Sequence, residues 1–165
     1  MSSKTILIES LTMSDHVMKA YLGDLEDGDL LIHPVPGQHN IAWQLGHLIS
    51  SEAGMLNGVR PVASPALPEG FEAAYGRDPE LASSEDNSRY ATKATYVELM
   101  DKQRKATLSL LNALSEEELA APGPENLKQM VSTIGGVFQL IGSHALMHSG
   151  QFVSVRRGLK KPIAI

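Results

Sequence analysis

Two histidines stand four residues apart in His144-Ala145-Leu146-Met147-His148-Ser149-Gly150-Gln151, inside the most apolar stretch of the chain. On an α-helix this spacing puts both imidazoles on one face, one turn apart. Neutral imidazoles so arranged can hold one metal ion from two sides. The neighbouring positions sharpen the point. Ile134, Val137, Leu140, Ile141, Phe152 and Val155 form an apolar lane, and His144, His148 and Gln151 occupy the same lane. A buried imidazole needs partners for both ring nitrogens, because unsatisfied buried polar groups are costly. Two of them a turn apart, with a glutamine one turn further on, need a shared polar partner. A metal ion with bound water is one candidate and a buried hydrogen-bond network is the other. The pattern alone leaves both open.

The chain has no cysteine, which removes disulfides, thiolate metal sites and cysteine nucleophiles together. Any transition metal must then be held by His, Asp or Glu. Two ligands make a weak site, and His47 is the best-placed third: it lies inside a long helical pattern, at the edge of the apolar stripe. His16 falls among exposed polar positions, and His33 and His39 lie in a Pro-rich connection, with His39 near enough to reach a site mouth. Three imidazoles leave coordination positions open, as in catalytic rather than closed structural sites. A divalent ion there brings the pKa of bound water toward neutrality, polarises a carbonyl, or activates an external thiolate.

Four amphipathic helical patterns must position these residues. They run from about Ile8 to Leu25, from an N-cap at Asn40 to Leu56, from Thr92 to Leu114, and from Lys128 to Arg157. Pro34-Val35-Pro36-Gly37 separates the first two, and Ser115-Glu116-Glu117-Glu118 resembles a capping box for a short turn. Residues 58–91, with Pro61, Pro65, Pro68 and Pro79, form a connection long enough to hold one or two helical turns. It reads either as a cover for a site mouth or as a plain surface crossover. No strand-like alternation competes, so the pattern predicts an all-α protein, an antiparallel four-helix bundle with a long crossover connection, as one domain over residues 1–165.

Composition excludes several partners. The 165 residues include 42% hydrophobic ones, enough for a sizeable core, and the net charge is −5. Lys102-Gln103-Arg104-Lys105 and Arg156-Arg157-Gly158-Leu159-Lys160-Lys161 are the basic clusters, and they read as helix surface and helix C-terminus. No nucleic-acid partner is expected. Thr5-Ile6-Leu7-Ile8 before Glu9 is too short and polar for a signal sequence, and no apolar run could span a bilayer, so no membrane partner and a cytoplasmic location are expected.

Trp43-Gln44-Leu45-Gly46-His47-Leu48, taken with His144-x3-His148-Ser149-Gly150-Gln151, resembles the DinB-like superfamily. That family includes metal-dependent hydrolase-like proteins and thiol-dependent transferases and isomerases. The resemblance extends over nearly the whole chain in helix order and loop lengths. It implies a divalent ion, zinc or nickel, with His47, His144 and His148 as metal ligands, and often a homodimer. It also implies a small-molecule substrate, with a low-molecular-weight thiol as a candidate co-substrate.

Around that centre, Gln151 reads as a partner of a ligand imidazole or as a structural polar residue, and Trp43 as core or pocket wall. Glu52, near the His47 level, needs a partner if buried and is expected to be salt-bridged or to orient a ligand histidine. Glu85-Asp86 lie within reach of a site, although solvation is the simpler role for them. No catalytic acid or base is assigned. Gly135, Gly142 and Ser149 repeat every seven residues on the face of the last helix away from the histidines, where another helix, from the same chain or a second subunit, can approach closely. Alongside the enzyme stands a non-enzymatic metal- or small-ligand-binding bundle, whose stability rather than turnover depends on the ion. A metal-free core network is the third reading.

Overall fold

A hydroxyl or amide side chain caps the start of each long helix. In the computed structural model, which describes residues 2–35, 37–75, 86–163 and 165, α1 spans Ser3–Leu22 and the Ser2 hydroxyl accepts the Thr5 amide. A short α2, Asp27–Leu30, follows. Helix α3 spans Ile41–Val59 with Asn40 accepting the Trp43 amide. A one-turn α4, Phe71–Ala74, lies in the crossover. Helix α5 spans Lys93–Ala113 behind Thr92, and α6, Glu116–Ala120, carries the expected capping box. Helix α7 spans Ile134–Gly158, with Thr133 accepting the Gly136 amide. Each such cap contributes about 1 kcal/mol by satisfying an orphan donor of the first turn.

The four long helices form the all-α antiparallel bundle that the periodicities predict. Among the described residues the one β-type pairing is an isolated bridge between Pro122 and Thr133. No described helix is long and apolar enough to cross a membrane. Helix α1 packs most extensively on α7, while α3 packs on both α5 and α7. Met18, Leu22, Leu45, Ile49, Tyr96 and Phe152 fill one half of the core. Leu11, Leu56, Leu111, Val137 and Phe138 fill the other.

Two helix starts lie several residues from the sequence expectation, one because of a cap and one because of backbone pairing. Helix α1 starts at Ser3 rather than Ile8 because Ser2 offers a cap further upstream. The last helix starts at Ile134 rather than Lys128. The residues before it form a 3-10 turn over Glu125–Leu127. They are then pinned by Gly123 N–H donating to the Ser132 carbonyl (3.1 Å) and Ile134 N–H to that of Ala121 (3.0 Å).

The small-residue lane of α7 is used within the chain. A methyl on Gly142 would press on Ser10 of α1, and one on Gly135 would press on the Leu119 carbonyl of α6. The buried Ser149 hydroxyl lies 3.7 Å from the Met18 sulfur of α1. The close approach of α1 fixes the rotation of α7 and so turns the opposite face, with His144 and His148, toward α3.

The crossover is anchored at two points. Ser64 Oγ donates to Gln103 Oε1 of α5 (2.9 Å), and its amide donates to Asn57 Oδ1 of α3 (3.0 Å). Beyond α4, the Tyr75 ring lies on Gly46, and its hydroxyl meets that of Tyr96 at 2.6 Å. The Tyr96 oxygen also accepts the Ala91 amide. Burial pushes both phenols above their ordinary range. A methyl at position 46 would overlap the Tyr75 ring, so Gly46→Ala must displace an anchored aromatic. The loss expected in urea unfolding is about 1–3 kcal/mol, despite alanine's better helix propensity. A neutral or stabilised variant would show that the ring moves freely.

Candidate metal centre

Helix α3 delivers His47 and helix α7 delivers His144 and His148. Asn40 caps the start of α3, and His47 falls on the side of that helix facing α7. His47 and His148 are buried and His144 is half-buried. Their ring centroids lie 5.2 Å apart for His47–His144, 5.5 Å for His47–His148 and 4.8 Å for His144–His148. Each ring offers one nitrogen such that the three atoms lie within 4.8 Å of one another. Among the described residues this is the one cluster of three or more His, Asp or Glu that could hold an ion. An ion with M–N bonds of about 2.0–2.1 Å would draw the three nitrogens closer together to engage all three. A donor set of three nitrogens and no thiolate suits borderline metals such as zinc and nickel.

One hydrogen bond fixes the orientation of the most buried imidazole of the cluster. His148 Nδ1 lies 2.9 Å from Gln44 Oε1. The other end of the same amide, Gln44 Nε2, donates to the His39 carbonyl at 3.0 Å. That second bond assigns the oxygen of Gln44 to His148, so Nδ1 carries the proton and donates, leaving Nε2 with its lone pair for an ion. The sequence points to Gln151 for a role of this kind; Gln44 performs it instead. The available signal was Gln44's position three residues before His47, on the polar lane of the same helix.

Aromatic stacking steadies the α3 side. Trp43 stacks on His47 with centroids 4.8 Å apart and planes at 7°. His39 stacks on Trp43 with centroids 3.5 Å apart and planes at 8°. Trp43 is a core residue beside the cluster, one of the two roles expected for it, and His39 lies against it without joining the cluster. Burial, with the nearby charges of His33 and Arg89, holds the His39 imidazole below its ordinary pKa. His16 and His33 are exposed and stand outside the cluster.

The carboxylates near the site are engaged elsewhere. Glu52 pairs with Arg104 of α5 (3.3 Å) and accepts the Thr107 hydroxyl (2.5 Å). Arg104 in turn donates to the Leu11 carbonyl (2.6 Å) and to Ser14 Oγ (2.9 Å) of α1. This network ties α1, α3 and α5 together, which is the salt-bridged role expected for Glu52. Asp86 is exposed and accepts the Ser88 amide at 2.9 Å; Glu85 lies outside the described residues. A small void of about 20 Å³ separates Glu52 and Arg104 from His144, enough for about one water.

The comparisons agree with this arrangement. The model of the DinB superfamily matches residues 10–152, most of the chain and all three histidines. No curated protein matches the sequence. A crystal structure of a conserved protein from Enterococcus faecalis is similar with a TM-score of 0.70 and 19% identity, covering 95% of this chain and 96% of that one. That likeness shows the shared fold.

Proposed function

The chain belongs to the DinB superfamily, and on that premise we propose that His47, His144 and His148 hold one divalent transition-metal ion, zinc or nickel, in an open site. That site serves hydrolysis, or the transfer of a low-molecular-weight thiol to a small molecule, and residues 1–165 act as one domain. The observation that carries the proposal is the convergence of three ring nitrogens within 4.8 Å from two helices. When bound, the ion supplies Lewis acidity, which favours hydroxide or thiolate near neutral pH.

The chain's own residues supply the rest. His47, His144 and His148 would hold the ion as neutral ligands, which would leave its charge uncompensated and further positions available to water or a thiol. Gln44 holds His148 in the tautomer that presents Nε2. Trp43 covers His47 on one face, limits the approach of water from that side, and restrains the ring. Glu52, neutralised by Arg104, adds no competing negative charge.

Elemental analysis of protein purified without a metal-affinity resin tests the proposal. The wild type is expected to carry about one equivalent of zinc or nickel, and the His144→Ala, His148→Ala double variant almost none. Equal, negligible metal in both would sink the site.

A further inference from the structure

Beside His144 lies a cavity of about 220 Å³, lined by Ser51, Met55, Leu127, Met130, Leu140 and His144 itself. Its position follows from helix geometry. Ser51 is one turn beyond His47 on α3, and Leu140 is one turn before His144 on the antiparallel α7. Both helices therefore carry the next turn of their metal-facing lanes toward the same end of the bundle. Leu127 and Met130, from the loop that precedes α7, close that end. Among the described residues, no carboxylate, ammonium or guanidinium lines the space.

We infer that this cavity seats the apolar part of the substrate, an uncharged group about the size of a benzene ring, with the reacting group directed at the three-histidine site. The inference rests on the metal-site reading above. Size supports it: an apolar protein cavity of about 150 Å³ already accepts benzene, and this one is larger. Lining chemistry supports it too. Two methionines give adaptable walls and sulfur contacts favourable to aromatic rings, while a charged group would lose hydration without gaining a partner. Met130, 63% exposed, stands at the rim, and beside His144 the Ser51 hydroxyl is the polar side chain at the wall among the described residues.

The test uses methyl-13C-methionine protein titrated with benzyl alcohol and with benzylamine. Benzyl alcohol is expected to shift the Met55 and Met130 methyls saturably, and benzylamine to bind about tenfold more weakly or worse. Met130→Glu, at an exposed position that the fold tolerates, should weaken benzyl alcohol by about tenfold. Shifts that fail to saturate, or that spread equally to the exposed Met13 and Met147, overturn the inference.

A second arm places the cavity relative to the ion. In metal-loaded protein, benzohydroxamate should bind about tenfold tighter than acetohydroxamate, and Met130→Glu should erase the difference. Equal affinities for the two hydroxamates overturn the placement. The two readings fail separately. Protein that never takes up metal but still binds benzyl alcohol at Met55 and Met130 discards the ion and keeps the cavity. Protein that loads metal and shows no aryl preference does the reverse.

Discussion

Gln44→Ala is expected to weaken zinc or nickel binding by about 10- to 100-fold while leaving the helical fold intact, the usual effect of removing a partner that orients a ligand imidazole. Two hydrogen bonds made by one amide carry the argument. With its nitrogen committed to the His39 carbonyl, Gln44 turns its oxygen to His148 Nδ1. Alanine frees the His148 ring to rotate and to exchange tautomers, so the ion must then fix both. Gln44→Glu separates this from a loss of packing. A carboxylate still accepts from Nδ1, and it raises the basicity of the ligand, so affinity should stay within a few-fold of wild type. Competition against a chromophoric chelator, with circular dichroism as the fold control, reads all three proteins. Equal metal affinity in wild type and Gln44→Ala would show that His148 is oriented by something else.

The ease with which the three histidines could be picked out has a physical basis. A period of 3.6 residues marks which side chains share a helix face, and imidazoles on an apolar face stand out because burial without partners is costly. His144 and His148 therefore stand out in the sequence as a pair, and His47 as their third. Asn40 and Thr92 were equally legible as helix starts, since a capping side chain acts within its own turn. What could not be read depends on which atoms meet across the chain. Gln44 and Gln151 both sit a turn from a histidine of the cluster, and only the packing of α3 against α7 decides that Gln44 reaches His148. Gly46 carries no sign in the sequence that Tyr75, far along the crossover, lies on it. The start of α7 departs from the continuous helical pattern because pairings between residues 121–123 and 132–134, a non-local feature, overrule it.

Arg156→Ala is expected to lower the unfolding free energy by about 3 kcal/mol and the melting temperature by about 6–12 °C, whereas Arg157→Ala, one residue on and exposed, should change little. By sequence these two arginines are equivalent cations at a helix C-terminus. In the fold, Arg156 is only 1% exposed. Its guanidinium donates to the Tyr21 carbonyl (2.8 Å), one of the orphan acceptors at the end of α1, and to the Pro162 carbonyl (2.8 Å). It also pairs in two-pronged fashion with Asp24. Alanine leaves a cavity and two carbonyls without their donor, and it unclamps the end of α7 from the end of α1. The pH dependence has a definite sign. Hydrogen bonding to Arg156 holds the Asp24 carboxyl below its ordinary value of 3.8. A depressed carboxyl stabilises the fold above that unfolded value and ceases to do so as pH falls through its folded one. The gap between wild type and Arg156→Ala, followed by thermal unfolding, should therefore narrow as the pH is lowered below about 3.8, leaving only the part due to packing and the two carbonyls. A gap that widened in acid would mean that Asp24 contributes nothing to the clamp. Equal losses in the two arginine variants would mean that the clamp itself does not hold α7, and with it His144 and His148, in register.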